Sequence, residues 1–220
     1  MFKAVINMYS YTKGTFPYNY VHTPRMRLLP YQYSCFSPSV ISKAQLDLSN
    51  HLRLLWEQHV VWTRLTIISI VFSLPDVDLV TNRLLRNPKD FEALLRPLYG
   101  DRVASRFADL FTSHLVIAAE LVNAAKAGDT RAAAEAEKRW YANADQIAAF
   151  LGSINPYWSV QQWKTMLHEH LALTKSEAVN MINGNYAESI TLFDQIEKQA
   201  LEMADVMTHG IIQQFPNYFM

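Results

Sequence analysis

The stretch that decides the fold is FADLFTSHLVIAAELVNAAKAG, residues 107–128, read beside WKTMLHEHLALTKSEAVNMING, residues 163–184. Each opens on an aromatic residue, Phe107 or Trp163, and reaches a His-Leu pair seven residues later, at His114-Leu115 and His170-Leu171. Each then runs through Glu-x-Val-Asn, at Glu120–Asn123 and Glu177–Asn180, and closes on a glycine, Gly128 or Gly184. Apolar residues recur at steps of three and four, which is the spacing of one helical face. In the first copy that face carries Phe107, Leu110, Phe111, His114, Ala118, Leu121 and Val122. In the second it carries Trp163, Met166, Leu167, His170, Thr174, Glu177 and Met181. A terminal glycine suits the left-handed position just past a helix.

Working outward, the same periodicity predicts further helices. One starts at Ser42, which has the capping-box spacing to Gln45, shows Leu52, Leu55, Trp56, His59, Thr63, Thr66 and Ile70 on one face, and ends at Pro75. Residues 76–98 are expected to hold short helices, with Asn87-Pro88 as an N-cap followed by a first-turn proline. Asp129 caps a helix over about 130–153 carrying Trp140, Asn143, Ile147 and Phe150, and Asn155-Pro156 stops it. Ser159 with Gln162 opens the helix over about 159–183. Asn185 with Glu188 opens the last one, which runs to about 214, before Phe215-Pro216.

The expectation is an all-α protein, an antiparallel bundle of about five long helices joined by short turns. Its unit is a helical hairpin used twice: repeat 1 over about 42–128, repeat 2 over about 130–184, and a closing helix at 186–214. Two paired hairpins make a ferritin-like arrangement the leading analogy for the 42–216 bundle.

Residues 1–41 differ from the rest. They hold six of the eleven tyrosines and four prolines, Pro17, Pro24, Pro30 and Pro38, which break helices. The chain has 20 basic and 20 acidic residues. Five of the basic ones precede the first acid, Asp47, which leaves 15 basic against 20 acidic residues beyond them. A basic aromatic arm on an acidic body suggests a homo-oligomer held through residues 1–41. It lacks the dense basic stripe of a nucleic-acid binder. Cys35 is the single cysteine, so no internal disulfide forms, which fits a reducing, cytoplasmic setting. The most apolar run, Leu65–Leu74, is half the length of a membrane span.

Chemistry has few places to live. There is no Gly-x-Ser-x-Gly and no phosphate-cradling glycine loop, so the reading leans against an enzyme. Three histidines interrupt the apolar faces at comparable heights: His59, His114 and His170. Glu177 lies two turns beyond His170 on the same face. Three imidazoles and a carboxylate of this kind suit zinc, iron or manganese. The competing reading is a buried hydrogen-bond network, with Asn143, Thr63 and Thr174 as partners. The tryptophans Trp56, Trp62, Trp140 and Trp163 read as packing that also has the option of walling a pocket beside the histidines.

With the repeat established, the chain resembles a family of small helical-bundle proteins from Gram-positive spore-formers. The residues carrying the likeness are Leu55–Arg64, Ala124–Asp129, Ile154–Trp158 and Glu202–Thr208, within about 45–216. Members are often labelled acetylglutamate kinase, a label that fits poorly: amino-acid kinases are α/β proteins with glycine-rich phosphate loops. The resemblance implies a spore-associated setting and supplies no site residues.

Overall fold

The computed structural model describes residues 41–220, and within them the chain is helical throughout, with no strand. The expected arm over 1–41, with Cys35, lies outside the described residues except for Ile41. Six long helices follow one another: α1 Lys43–Val71, α2 Val77–Tyr99, α3 Asp101–Lys126, α4 Thr130–Ile154, α5 Val160–Ile182 and α6 Tyr186–Gln214. A single short turn of 3₁₀ helix, Pro216–Tyr218, ends the order.

Local chemistry sets most of the helix ends. Ser42 and Gln45 form a reciprocal capping box, and the Asp129 and Ser159 side chains accept from Ala132 N and Gln162 N. The Ser42 hydroxyl also donates to the Phe219 carbonyl at 2.6 Å, which ties the start of α1 to the far end of the chain.

The expected short helices over 76–98 are instead one helix of 23 residues, with Asn87 and Pro88 in its middle. A proline there removes one helical hydrogen bond. Tertiary packing overrides that cost, because Val80, Leu84, Asn87, Pro88, Phe91, Glu92 and Leu95 form one buried face.

That face exposes the actual repeat. Moved along by 56 residues it becomes Ala136, Trp140, Asn143, Ala144, Ile147, Ala148 and Leu151, the buried residues of α4. Moved again by 56 it becomes Leu192, Ile196, Gln199, Ala200, Met203, Ala204 and Met207, all buried on α6. The hairpin is therefore used three times, as α1–α2, α3–α4 and α5–α6, and the expected two copies plus a closing helix are corrected to three.

The turns inside the hairpins repeat as well. Leu74 N, Asp129 N and Asn185 N donate back to Ser69 O, Ala124 O and Asn180 O at 2.8–3.0 Å, closing the same helix-ending turn each time. The left-handed position is Gly128 (φ 72°) and Gly184 (φ 78°) in the later hairpins. In the first it is Ser73 (φ 52°), the one described non-glycine residue with positive φ.

Each helix packs on its neighbours in sequence, and α6 packs back on α1, so the six close into a ring of antiparallel neighbours. The odd helices α1, α3 and α5 also touch one another and fill the middle. One described helix, α3, is long and apolar enough by composition to cross a membrane, but its large apolar residues (Phe107, Leu110, Phe111, Leu115, Leu121) are buried against the other helices.

Candidate functional site

The three central helices each carry one buried histidine: His59 on α1, His114 on α3 and His170 on α5, 2–3% exposed. They stand 55 and 56 residues apart, one per hairpin. The His59 and His170 rings lie 5.6 Å apart between centroids. Phe111 leans on His59 at 4.9 Å and Trp140 on His114 at 5.3 Å.

The second and third hairpins each tie their histidine to an amide on their second helix. His114 Nδ1 meets Asn143 Oδ1 at 2.8 Å, and His170 Nδ1 meets Gln199 Oε1 at 3.2 Å. The amide nitrogens donate to the carbonyl one turn before each histidine, Asn143 Nδ2 to Leu110 O and Gln199 Nε2 to Met166 O, both at 3.1 Å. With the amide nitrogen committed, only its oxygen faces the ring, so Nδ1 carries the proton in both histidines. In the first hairpin Asn87 Nδ2 donates to Leu55 O at 2.9 Å in the same way. There the spacing from histidine to amide is 28 residues instead of 29, and His59 Nδ1 and Asn87 Oδ1 are buried without partners.

Burial keeps this layer neutral. Desolvation lowers the pKa of His114 to about 3, against the opposing pull of Asn143, and that of His170 to about 4. Desolvation, then the nearby His170 and His114, hold His59 well below the ordinary value.

The expected metal set is not assembled. Among the described residues no three His, Cys, Asp or Glu side chains form a group able to hold an ion. Glu177 does not join the histidines. It is buried and paired with Arg64 of α1, whose guanidinium also reaches Ser189 O at 3.2 Å and lies over the Phe193 ring. Desolvation raises the pKa of Glu177 to about 7, and Arg64 limits the rise. Two further polar residues of α5 and α6 have partners of their own. His168 binds Asp145 at 2.7 Å, and Asp205 takes Arg53 at 2.7 Å.

One turn beyond the histidines, toward the hairpin turns, lies a cavity of about 360 Å³. Its origin is legible layer by layer. Four residues after each histidine stand Thr63, Ala118 and Thr174; eight residues after stand Ile67, Val122 and Ala178. At the first of these heights all three repeats are small, so no repeat fills what another leaves. The core is accordingly split: a large cluster holds the histidine layer and beyond, and a small one holds Ile67, Ile70, Val122, Ala178 and Met181.

Two residues that line it, Trp140 and Thr174, are 3% and 5% exposed, and each carries a fully buried side-chain polar atom without a partner, Nε1 and Oγ1. Thr63, at the position equivalent to Thr174, instead donates to His59 O at 2.7 Å. Lys175 and Glu137 border the cavity and pair with each other at 2.6 and 2.7 Å. Of the four tryptophans considered from sequence, Trp140 walls this space. The amides Asn87 and Gln199 and the Arg64 partner were missed. The fixed spacing from each histidine to an amide 28 or 29 residues on was the signal that could have found the first two.

Compared with known protein families, with characterised proteins and with solved structures, the chain matches none.

Proposed function

We propose that this chain is a non-enzymatic helical bundle that binds one small, mostly apolar molecule in the cavity between α1, α3, α4 and α5. The observation that carries the reading is the cavity itself, about 360 Å³ of mostly apolar-walled space. Binding sites have this size and this make-up, a mainly apolar wall with a few polar groups. Unfilled space costs stability, and a ligand relieves that cost. The neutral histidine layer supports a structural role beside the cavity, because its Nδ1 protons on His114 and His170 are already held by amides.

Equilibrium dialysis of the full chain against naphthalene tests this. One saturable site per chain is expected, lost in Ala118→Phe, whose ring enters the cavity, while circular dichroism stays helical. Binding that fails to saturate, or that is unchanged in Ala118→Phe, refutes the proposal. The arm over 1–41 enters as a separate proposal of self-association, read from its composition.

A further inference from the structure

We propose that the molecule bound here is a single-chain amphiphile, one straight apolar chain with a polar end, whose chain starts in the central cavity and passes out between α2 and α3. The proposal rests on the cavity reading above and adds the shape and class of the ligand.

The route follows from the repeat. Three seams join one hairpin to the next: α6–α1, α4–α5 and α2–α3. Moving along by the repeat interval puts the same pair of positions on each seam: Phe193 with Arg64, Glu137 with Lys175, and Thr81 with Ala119. Long side chains bridge the first two. The Arg64 guanidinium lies 4.9 Å over the centre of the Phe193 ring, and Lys175 pairs with Glu137 at 2.6 and 2.7 Å. An alanine methyl and a threonine leave the third seam without such a bridge.

Two outer hollows, of about 420 and 520 Å³, lie along that third seam, and Thr81 and Ala119 line both. Ala119 lines the central cavity as well, so all three spaces adjoin there. The central cavity and the first outer hollow also share Thr66, Leu84 and Leu115.

The lining changes along the route. Leu85 and Val116 keep the first outer hollow mainly apolar. The second brings in Ser69, Ser73, Asp78, Asn123 and Lys126 beside the turn between α1 and α2. An apolar chain with one polar end matches that order, because CH₂ groups gain by burial while a polar group stays where hydroxyls, an amide and water can meet it. Asp78 and Lys126 carry opposite charges, so the polar end needs no net charge of its own. A compact ring system would fill the central cavity and gain nothing from the outer hollows.

The test uses two probes that each have ten carbons and one hydroxyl but differ in shape: 1-decanol, which is linear, and 1-naphthol, which is compact. Both are dialysed to equilibrium against the full chain at pH 7. Thr81 and Asn123 line only the outer hollows, and Asn123 is exposed. Thr81→Phe and Asn123→Phe, each checked for retained helix by circular dichroism, should therefore weaken decanol binding about tenfold, the cost of returning about two CH₂ groups to water. Naphthol binding should stay within about twofold. Decanol binding unchanged in both variants overturns the proposal, as does an equal loss for the two probes or a wild-type chain that takes naphthol and refuses decanol. In each of those cases the cavity reading stands. Failure of the wild-type chain to bind either probe overturns both readings.

Discussion

Acid should loosen this bundle well before its carboxylates titrate, because the histidine layer is neutral only while it is folded. An unfolded histidine takes its proton near pH 6.5. In the folded chain His114 waits until about pH 3 and His170 until about pH 4. Both folded values are depressed, so the stability these groups contribute is complete above pH 6.5 and is lost as pH falls toward 4 and 3. Each pKa unit is worth about 1.4 kcal/mol. From 6.5 down to pH 5, each of the two therefore costs about 2 kcal/mol, and His59 adds to the loss in the same direction. Glu177 works the other way. Its folded value near 7 lies above the unfolded one, so its burial costs stability at pH 7, and protonation by pH 5 returns about 2 kcal/mol. The wild-type chain should lose about 2 kcal/mol between pH 7 and pH 5 from these three groups, plus the His59 share. In Glu177→Gln the offset vanishes and the loss should rise to about 4 kcal/mol plus that share. The variant starts less stable because Arg64 loses its partner, but the pH difference within it is what is read. Urea unfolding followed by circular dichroism at the two pH values measures it. A loss in Glu177→Gln below about 1 kcal/mol would refute the reasoning.

Five substitutions probe the hydrogen bonds, turns and packing of the bundle. Alanine at Asn143 or Gln199 strips a bonded histidine of its acceptor and should cost about 2–3 kcal/mol in urea unfolding, whereas Asn87→Ala, whose oxygen bonds nothing, should cost about 1 kcal/mol; equal costs would contradict the hydrogen-bond account. Ser73→Gly should stabilise by about 0.5–1 kcal/mol, since the left-handed backbone there suits glycine and the lost hydroxyl contact to Lys126 is exposed; a lower melting temperature would count against it. Gly210→Ala should cost about 3 kcal/mol or more, because a Cβ at that position would stand 1.9 Å from Trp158 Nε1 in a buried contact; an unchanged melting curve would show that Trp158 can move aside.

Sequence periodicity located the helices well where caps and apolar steps agreed, as at Ser42, Asp129 and Gly184. It failed at 76–98, where Asn87-Pro88 imitates a helix start. Local chemistry favours a break there, and only burial against α1 and α3 keeps the helix continuous. That one misreading hid the third hairpin, because α2 is the copy whose register matches α4 and α6. It also hid the polar pattern: His114 with Asn143 was visible as two polar residues on apolar faces, but the rule that each histidine owns an amide needs Asn87 and Gln199 as well. The placement of Glu177 was legible only as a helix face. Which neighbour claims it depends on Arg64, 113 residues earlier in the chain, and no local pattern carries that.

The repeat also explains why the void sits where it does. Seven residues before the histidines the layer holds Leu52, Phe107 and Trp163; three residues before, it holds Trp56, Phe111 and Leu167. The sizes run in opposite order, so each hairpin carries about the same total bulk over the two layers. Trp56 stacks on Trp163 at 6.4 Å between the first and third hairpins, and Phe107 meets Phe111 at 5.5 Å within the second. Close packing of that kind rests on such trading of volume between facing positions. Past the histidine layer the trading stops: Thr63, Ala118 and Thr174 are small together, as are Ile67, Val122 and Ala178 relative to the aromatic layers. A chain that balances its volumes so closely on one side of the polar layer and leaves them unbalanced on the other has kept a space. That change from traded to untraded volume across a single layer is the strongest reason to read the place as a binding site.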